Sequence, residues 1–378
     1  TIKVQGKILT QNNEPISGVN IYAGNVGTSS QHDGSFSLNV DANTKITFSH
    51  IGYTEISMFA YKISDIIQLN SIELSVPSII VKGGLRNTSL LKSASSISII
   101  GKNSLKKESS SHFQGLIQTI PNLNWAGGTS RPRYFQIRGI GERSQYVGEG
   151  APNFSVGFMV DGIDFSGIGM AGMLFDTEQV EIFKGPQSSI YGPNAMAGLI
   201  NMTTANPTFF ETGHTLFNIG TDNQKTFGFA IGAPISNRLA FRLALQKHTQ
   251  DGFRNNLYKD ISDSNKRNEL YFRTKLNWLV SDAVNVQFLH FNANLHNGYD
   301  VWAVNNNRDF NTYSDAQGMD SQISTANSIK VNFSNLIGFN GSYQFSESNN
   351  KMEHSYDGDW SNELILENEY NWHSENPA

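Results

Sequence analysis

Hydrophobic and polar positions alternate with a period of two through much of the second half of the chain. In "LYFRTKLNWLV", Leu270, Phe272, Leu276, Trp278 and Val280 share one face, and Tyr271, Arg273, Lys275 and Asn277 the other. In "TFGFAIGA", Phe227, Phe229 and Ile231 oppose Thr226, Gly228, Ala230 and Gly232. In "RLAFRLALQ", Leu239, Phe241, Leu243 and Leu245 oppose Arg238, Ala240, Arg242, Ala244 and Gln246. Similar patterns recur over 284–296, 327–345 and 360–372. Successive side chains of a strand point to opposite faces, so these runs predict two-faced strands. Their connections alternate too. "PISN" and "SDA" are tight, whereas "DGFRNNLYKDISDSNKR" and "NGYDVWAVNNNRDFNTYSDAQGMDSQIS" are long and polar. Tight turns at one end and long loops at the other are the pattern of a transmembrane β-barrel. A soluble sandwich also alternates, but its strands average ~5–6 residues, and several runs here are much longer. Trp278, Tyr370 and Trp372 near strand ends fit an interfacial girdle.

The first half reads differently. In residues 1–76, "KVQGKIL", "GVNIYA", "SFSLNV" and "TKITFSHI" alternate and are separated by the turn signals "NNEP", "HDG" and "DANT". That spacing predicts a small β-sandwich. His32 with Asp33 is read as part of a turn rather than half of a site. Residues 77–92, "PSIIVKGGLRNTSLLK", look like a linker. Within it "SIIV" is short, extended and apolar, and fits either a segment that adds to a partner's sheet edge or the last strand of the preceding domain. Residues 95–205 mix short strands with one predicted helix, in which Phe113, Leu116, Ile117 and Ile120 fall at helical spacing before Pro121. "SVGFMVDGIDF" carries Asp161-Gly162, a two-residue hairpin signal.

Composition narrows the classes. The chain has 378 residues, a formal charge of −5 and 16% charged residues, with no basic stripe that would suit nucleic acid. It has no cysteine, which excludes disulfides and thiolate chemistry within it. No run approaches the ~18 apolar residues of a spanning helix, a test that says nothing against barrel strands. The chain opens at Thr1 without a signal peptide and ends in "NWHSENPA", so it is expected to continue beyond residue 378.

Motifs for chemistry fail on context. "GIGMAG" has the spaced glycines of a dinucleotide site, but a strand-like run follows where a helix is required. "DGD" at 357–359 lacks the terminal glutamate of a calcium loop. The nine histidines include no i, i+4 pair. "GPQSS" is not a nucleophile elbow. The expectation is therefore no enzyme, no catalytic residue, no metal site and no cofactor.

One segment is distinctive: "VEIFKGPQSSIYGPNAMAGLINM", residues 180–202. It resembles the closing segment of the plug domain of TonB-dependent outer-membrane receptors. "LIQTIPNL", "FQIRGIG" and "VGFMVDGI" resemble three further plug motifs, in the family's order. Gly6, "EPISGVNIYA", "GTSSQHDGSFSL" and "FSHIGYT" resemble the carboxypeptidase-regulatory-like extension carried by many such receptors, especially in Bacteroidota.

The resemblance implies a mainly β protein: a carboxypeptidase-regulatory-like β-sandwich (1–76), a linker with a TonB box (77–92), an α+β plug (93–207) and the first strands of an antiparallel transmembrane β-barrel (208–378). Such barrels have roughly twenty-two strands, and seven or eight candidates are present here. It further implies Ser78, Ile79, Ile80, Val81 and Lys82 as the TonB box, and Arg138, Glu181 and Lys184 as plug–barrel contacts. Trp125, Arg131, Arg133, Tyr134, Tyr146 and Phe154 are the expected ligand-binding residues. The implied function is import of an extracellular ligand, an iron–siderophore or similar metal complex. The partners would be TonB with its inner-membrane energising proteins, and outer-membrane lipid. The setting would be the outer membrane of a Gram-negative bacterium. The rival reading is a secreted or surface β-rich adhesin or carbohydrate-binding protein.

Overall fold

The computed structural model describes residues 1–72, 79–84, 87–107, 111–126, 128–142, 154–305, 308–336, 338–363 and 370–377. The chain divides into two compact units, Thr1–Ile79 and Ile80–Ala378.

The first unit holds two sheets. In one, Ile2–Leu9 lies between Ser35–Val40, antiparallel to it, and Ile66–Gln68, parallel to it. In the other, the order is Val26–Ser29, Asn20–Ala23, Lys45–Ser49, Ile56–Phe59. Alternation sends Ile21, Ala23, Phe36, Leu38, Val40, Ile46 and Phe48 into one core, where Phe36 meets Phe48 edge-on with centroids 5.5 Å apart. The Asp33-Gly34 turn is as predicted. Gly34 has φ +77°, and the Asp33 carboxylate accepts from Ser35 Oγ and Ser35 N–H, which hold its pKa down to about 2. Those bonds are local turn bonds, the structural role expected of this site.

The second unit begins with a short hairpin, Ile80–Val81 against Thr88–Ser89. The plug sheet follows, in the order Ile97–Gly101, Thr177–Phe183, Gly198–Thr204, Val156–Val160, Ile163–Asp164. Gly198–Thr204 and Val156–Val160 run parallel; the other neighbours are antiparallel. Asp161 (φ 52°) and Gly162 (φ 81°) make the tight turn that their sequence announced. The predicted helix is present but tighter than expected. Phe113–Thr119 is a 3-10 turn, capped where the His112 ring accepts from Gln114 N–H. Phe113, Leu116, Ile117 and Ile120 are buried as the spacing required. Gly115 in its centre and Pro121 just beyond it both disfavour a longer α-helix.

The distinctive 180–202 segment leaves its strand, makes one helical turn at Ser188–Tyr191, and returns through Gly198–Thr204. Gly192 takes φ +75° with ψ −166°, open only to glycine. A Cβ on Gly198 would lie 2.4 Å from the Phe183 carbonyl oxygen. Gly185 has neither constraint.

Eight antiparallel strands then form one meander: Thr212–Ile219, Lys225–Ser236, Leu239–Gln250, Arg267–Leu279, Val284–Gly298, Met319–Leu336, Phe339–Tyr356 and Tyr370–Pro377, called here the first to eighth wall strands. Connections 237–238 and 280–283 are tight and, with the short step from Leu336 to Phe339, share one end; 251–266 and 299–318 are long and share the other. Phe227, Phe229, Ile231 and Trp278 are exposed on the outward face. The inward face carries Thr226, Ala230, Ala240, Ala244, Ala293 and Ala326, all buried. The small residues let the plug approach. A Cβ on Gly228 would lie 2.7 Å from the Phe175 ring. One apolar cluster runs from Phe113, Phe158 and Met170 of the plug into Tyr271, Phe291 and Leu295 of the wall.

Candidate functional site

The plug meets the wall along a seam of buried charges. The fourth wall strand carries Glu269, Tyr271, Arg273 and Lys275 inward, from the long-loop end towards the tight-turn end. Near the long loops the plug is basic. Arg131 binds Glu269 with two bonds, Nε to Oε1 at 2.7 Å and Nη2 to Oε2 at 2.8 Å. Arg133 pairs with Asp320 of the sixth wall strand, whose other oxygen accepts from Ser130 N–H and Oγ at 2.6 Å each. Burial works against the Arg131 charge, but Glu269 outweighs it and holds the guanidinium pKa above its ordinary value. His112, beside this pair, is pushed down to about 3 by burial and then by the Arg131 charge, and is neutral.

Nearer the tight turns the polarity reverses. Asp176 of the plug receives Arg242 of the third wall strand, with Nε 2.7 Å from Oδ2, and Arg273 of the fourth. Asp161, at the hairpin tip, receives Lys275 Nζ at 2.9 Å together with Thr204 N–H and Oγ1. Gln344 of the seventh wall strand donates to the Asp161 carbonyl oxygen. Burial pushes the Asp161 carboxyl up, but Lys275, Arg273 and the Thr204 bonds together set it below the usual carboxylate range. Between the two levels, Tyr271 Oη and Gln322 Nε2 donate to the carbonyl oxygens of Met170 and Ile168. A cavity of about 870 Å³ opens between plug and wall, lined by Lys82, Asp161, Tyr191, Lys275, Lys330 and Gln344 among others.

A second set of contacts holds the segment 80–83 against the plug sheet. Glu181, fully buried, accepts from the backbone N–H groups of Lys82 and Gly83. It also accepts from Gln179 Nε2 at 2.6 Å and Asn201 Nδ2 at 2.8 Å. Gln179 Nε2 also donates to the Ile80 carbonyl oxygen and Tyr191 Oη to that of Gly83. Burial, then the Glu181 charge, raises the Tyr191 hydroxyl to about 12, so it remains a donor. Val81 is buried beside Phe183 and Leu199, and Lys82 Nζ pairs with Glu178 at 2.9 Å.

The structure redistributes several expected roles. Arg131 and Arg133, expected at a ligand, form buried ion pairs with Glu269 and Asp320 of the wall. Tyr134 is buried and stacks on Phe154 with centroids 5.9 Å apart, and Trp125 packs on the plug core. Arg138 is exposed in its turn and Lys184 half-buried, and among the described residues neither forms an ion pair. Glu181, expected to face the wall, faces 82–83 because its strand is interior to the plug sheet. Ser78 and Tyr146 lie outside the described residues. Asp161, Asp176, Arg242, Glu269 and Asp320 were missed. For Arg242, Glu269 and Asp320 the available signal was charge on the small-residue face of strands whose other face is apolar; Asp161 and Asp176 sit in plug turns and carried no such signal.

Residues 89–199 match the family model described as TonB-dependent Receptor Plug Domain, and residues 4–77 the CarboxypepD_reg-like domain. The Vitamin B12 transporter BtuB of Vibrio vulnificus strain YJ016 is 23% identical over 202 residues, which is 51% of this chain and 31% of that protein. The Ferrioxamine B receptor of Salmonella typhimurium strain SL1344 is 20% identical over 214 residues, covering 53% and 27%. Among solved structures, the ferric yersiniabactin uptake receptor FyuA from Yersinia pestis superposes with TM-score 0.62 at 16% identity, covering 70% of this chain and 42% of that one. The ferripyoverdine receptor of Pseudomonas aeruginosa gives TM-score 0.62 at 12% identity, covering 83% and 42%. These structural likenesses concern the fold. The chain spans less than a third of the length of these curated relatives.

Proposed function

We propose that this chain, which belongs to the TonB-dependent receptors, is the N-terminal part of an outer-membrane importer for a scarce extracellular ligand. The relatives are receptors and transporters rather than enzymes, named for ferrioxamine B, vitamin B12 and ferric yersiniabactin. On that ground the ligand is an iron–siderophore or similar metal complex. The observation that carries the reading is the two-faced wall. Exposed Phe227, Phe229, Ile231 and Trp278 suit lipid on one side, and ion pairs to a folded plug fill the other. A sheet of this kind spans a bilayer only as a closed barrel, in which every backbone group is paired.

In this reading Ser78–Lys82 is the TonB box, and energised TonB pulls on it to open a path past the plug. The long-loop end faces outward and the tight turns face the periplasm. The cavity beside Lys82 is where displacement of the plug would first widen a passage. The test is deletion of residues 78–82 in the complete protein. Ligand binding to cells is expected to persist while ligand-dependent growth is lost. Undiminished growth would remove the box assignment.

A further inference from the structure

We propose that Glu181 is the latch that holds residues 80–83 against the plug at rest, and that release of this one carboxylate from two backbone amides frees the segment for its energising partner. The inference rests on the importer reading for its purpose, but not for its geometry. A buried carboxylate that accepts backbone N–H groups forms charge-assisted bonds, stronger than neutral ones. Lys82 and Gly83 are the only neighbours of Glu181 among its described donors that can leave: Gln179 lies two residues away on the same strand, and Asn201 lies opposite Glu181 on the adjacent strand. Because Gln179 and Asn201 continue to donate after release, the carboxylate is not stranded without partners. The device therefore has two tolerable states.

Glycine at 83 belongs to the same device. A Cβ there would lie 2.7 Å from Glu181 Oε2, 2.8 Å from the Phe183 ring and 2.9 Å from Asn201 Nδ2. A side chain at this position forces either these three neighbours or the segment itself to shift. Lys82 contributes differently: its ammonium reaches the half-exposed Glu178, and exposed pairs add little. The backbone, not the lysine, is what the plug grips.

The experiment uses the complete receptor in outer-membrane vesicles. Residues 1–378 contain no cysteine, so Val81→Cys reports on the dock, since Val81 is buried in the seated segment. Ala195→Cys, buried elsewhere in the plug, reports on global loosening. Glu181→Gln keeps the shape but removes the charge and one acceptor. It is expected to raise maleimide labelling at position 81 about tenfold or more, with position 195 still protected. Gly83→Ala is expected to do the same with Glu181 untouched, and Glu178→Gln to change the rate less than about twofold. Wild-type labelling of position 81 in folded Glu181→Gln protein overturns the latch, whatever Gly83→Ala does. Equal rises at 81 and 195 also overturn it, since the effect would then be general. Should Glu181→Gln not fold, Gly83→Ala decides alone. Labelling needs no energy source, so a rise at 81 combined with growth that survives deletion of 78–82 leaves the latch standing and removes the assignment of 78–82 as the TonB box.

Discussion

The seam between plug and wall and the dock of residues 80–83 both depend on buried carboxylates, yet they are built to opposite ends. In the seam, Glu269, Asp320, Asp176 and Asp161 each meet a cation from the other body. In the dock, Glu181 meets backbone amides and neutral side chains. Separating a seam pair strands two charges in a poorly solvated place, which is strongly unfavourable. Vacating the dock strands none, because half of the donors to Glu181 stay behind. Attachment by ion pairs is durable and attachment to a pre-satisfied carboxylate is releasable. The same side-chain chemistry serves both.

The largest effect that sharpens this contrast is at Arg131. Arg131→Ala leaves Glu269 buried with Asn297 but without its cation, and is expected to weaken plug docking by about 3–5 kcal/mol. Urea-induced protease sensitivity of the plug measures this. The double replacement Arg131→Met with Glu269→Met is expected to recover most of the loss, because it removes the stranded charge. If the double variant is as weak as the single, the pair is not what holds the plug.

Asp161 is expected to rank next. Asp161→Asn tolerates the left-handed turn and keeps a bond to Thr204, so the loss of the Lys275 pair is expected to cost about 1–3 kcal/mol. It also has a pH signature. The folded pKa lies below the ordinary value of 3.8. A depressed carboxylate contributes stability that is present above its unfolded pKa and lost as pH falls through the folded one. Docking through Asp161 should therefore be flat from about pH 8 to about pH 5 and weaken only in stronger acid. Asp161→Asn should flatten that acid limb. A slope near neutrality that Asp161→Asn abolishes would contradict the assigned pairing.

What could be read from the sequence divides along the same line. The second to fifth wall strands were legible because their two faces meet different surroundings, so Phe227, Phe229 and Ile231 separate cleanly from Gly228 and Ala230; the predicted run 327–345 instead crosses the turn between Met319–Leu336 and Phe339–Tyr356, and the predicted loop ending "GMDSQIS" enters the first of these. The Asp161-Gly162 turn was legible because few other residue pairs accept two positive φ angles. Partners were not legible. Arg131 and Glu269 are 138 positions apart, and an arginine in a Gly- and Ser-rich stretch suits a ligand as well as it suits a wall carboxylate. The direction of Glu181 was hidden for a related reason. Period-two alternation assigns a face to a residue but does not say what covers that face, and here the cover is the chain's own 80–83 segment. The tight geometry of Phe113–Thr119 was hidden because apolar spacing alone does not separate one or two 3-10 turns from α-helix.

The smallest predicted effect returns to the residues first expected to join plug to wall. Arg138 sits at φ 54° with its side chain exposed. Lys184 is lowered by burial and then by the nearby Arg138 charge, so the two cations repel one another rather than bind a common acid. Replacing either by alanine is expected to shift plug docking by no more than about 0.5 kcal/mol, within the scatter of a urea titration. Lys184→Ala should, if anything, stabilise slightly, since it relieves like-charge repulsion without leaving an acid unpaired. A loss as large as that of Arg131→Ala would mean that carboxylates from outside these eight wall strands reach the turn. The seam would then extend around the plug beyond the third to seventh wall strands that meet it among the described residues.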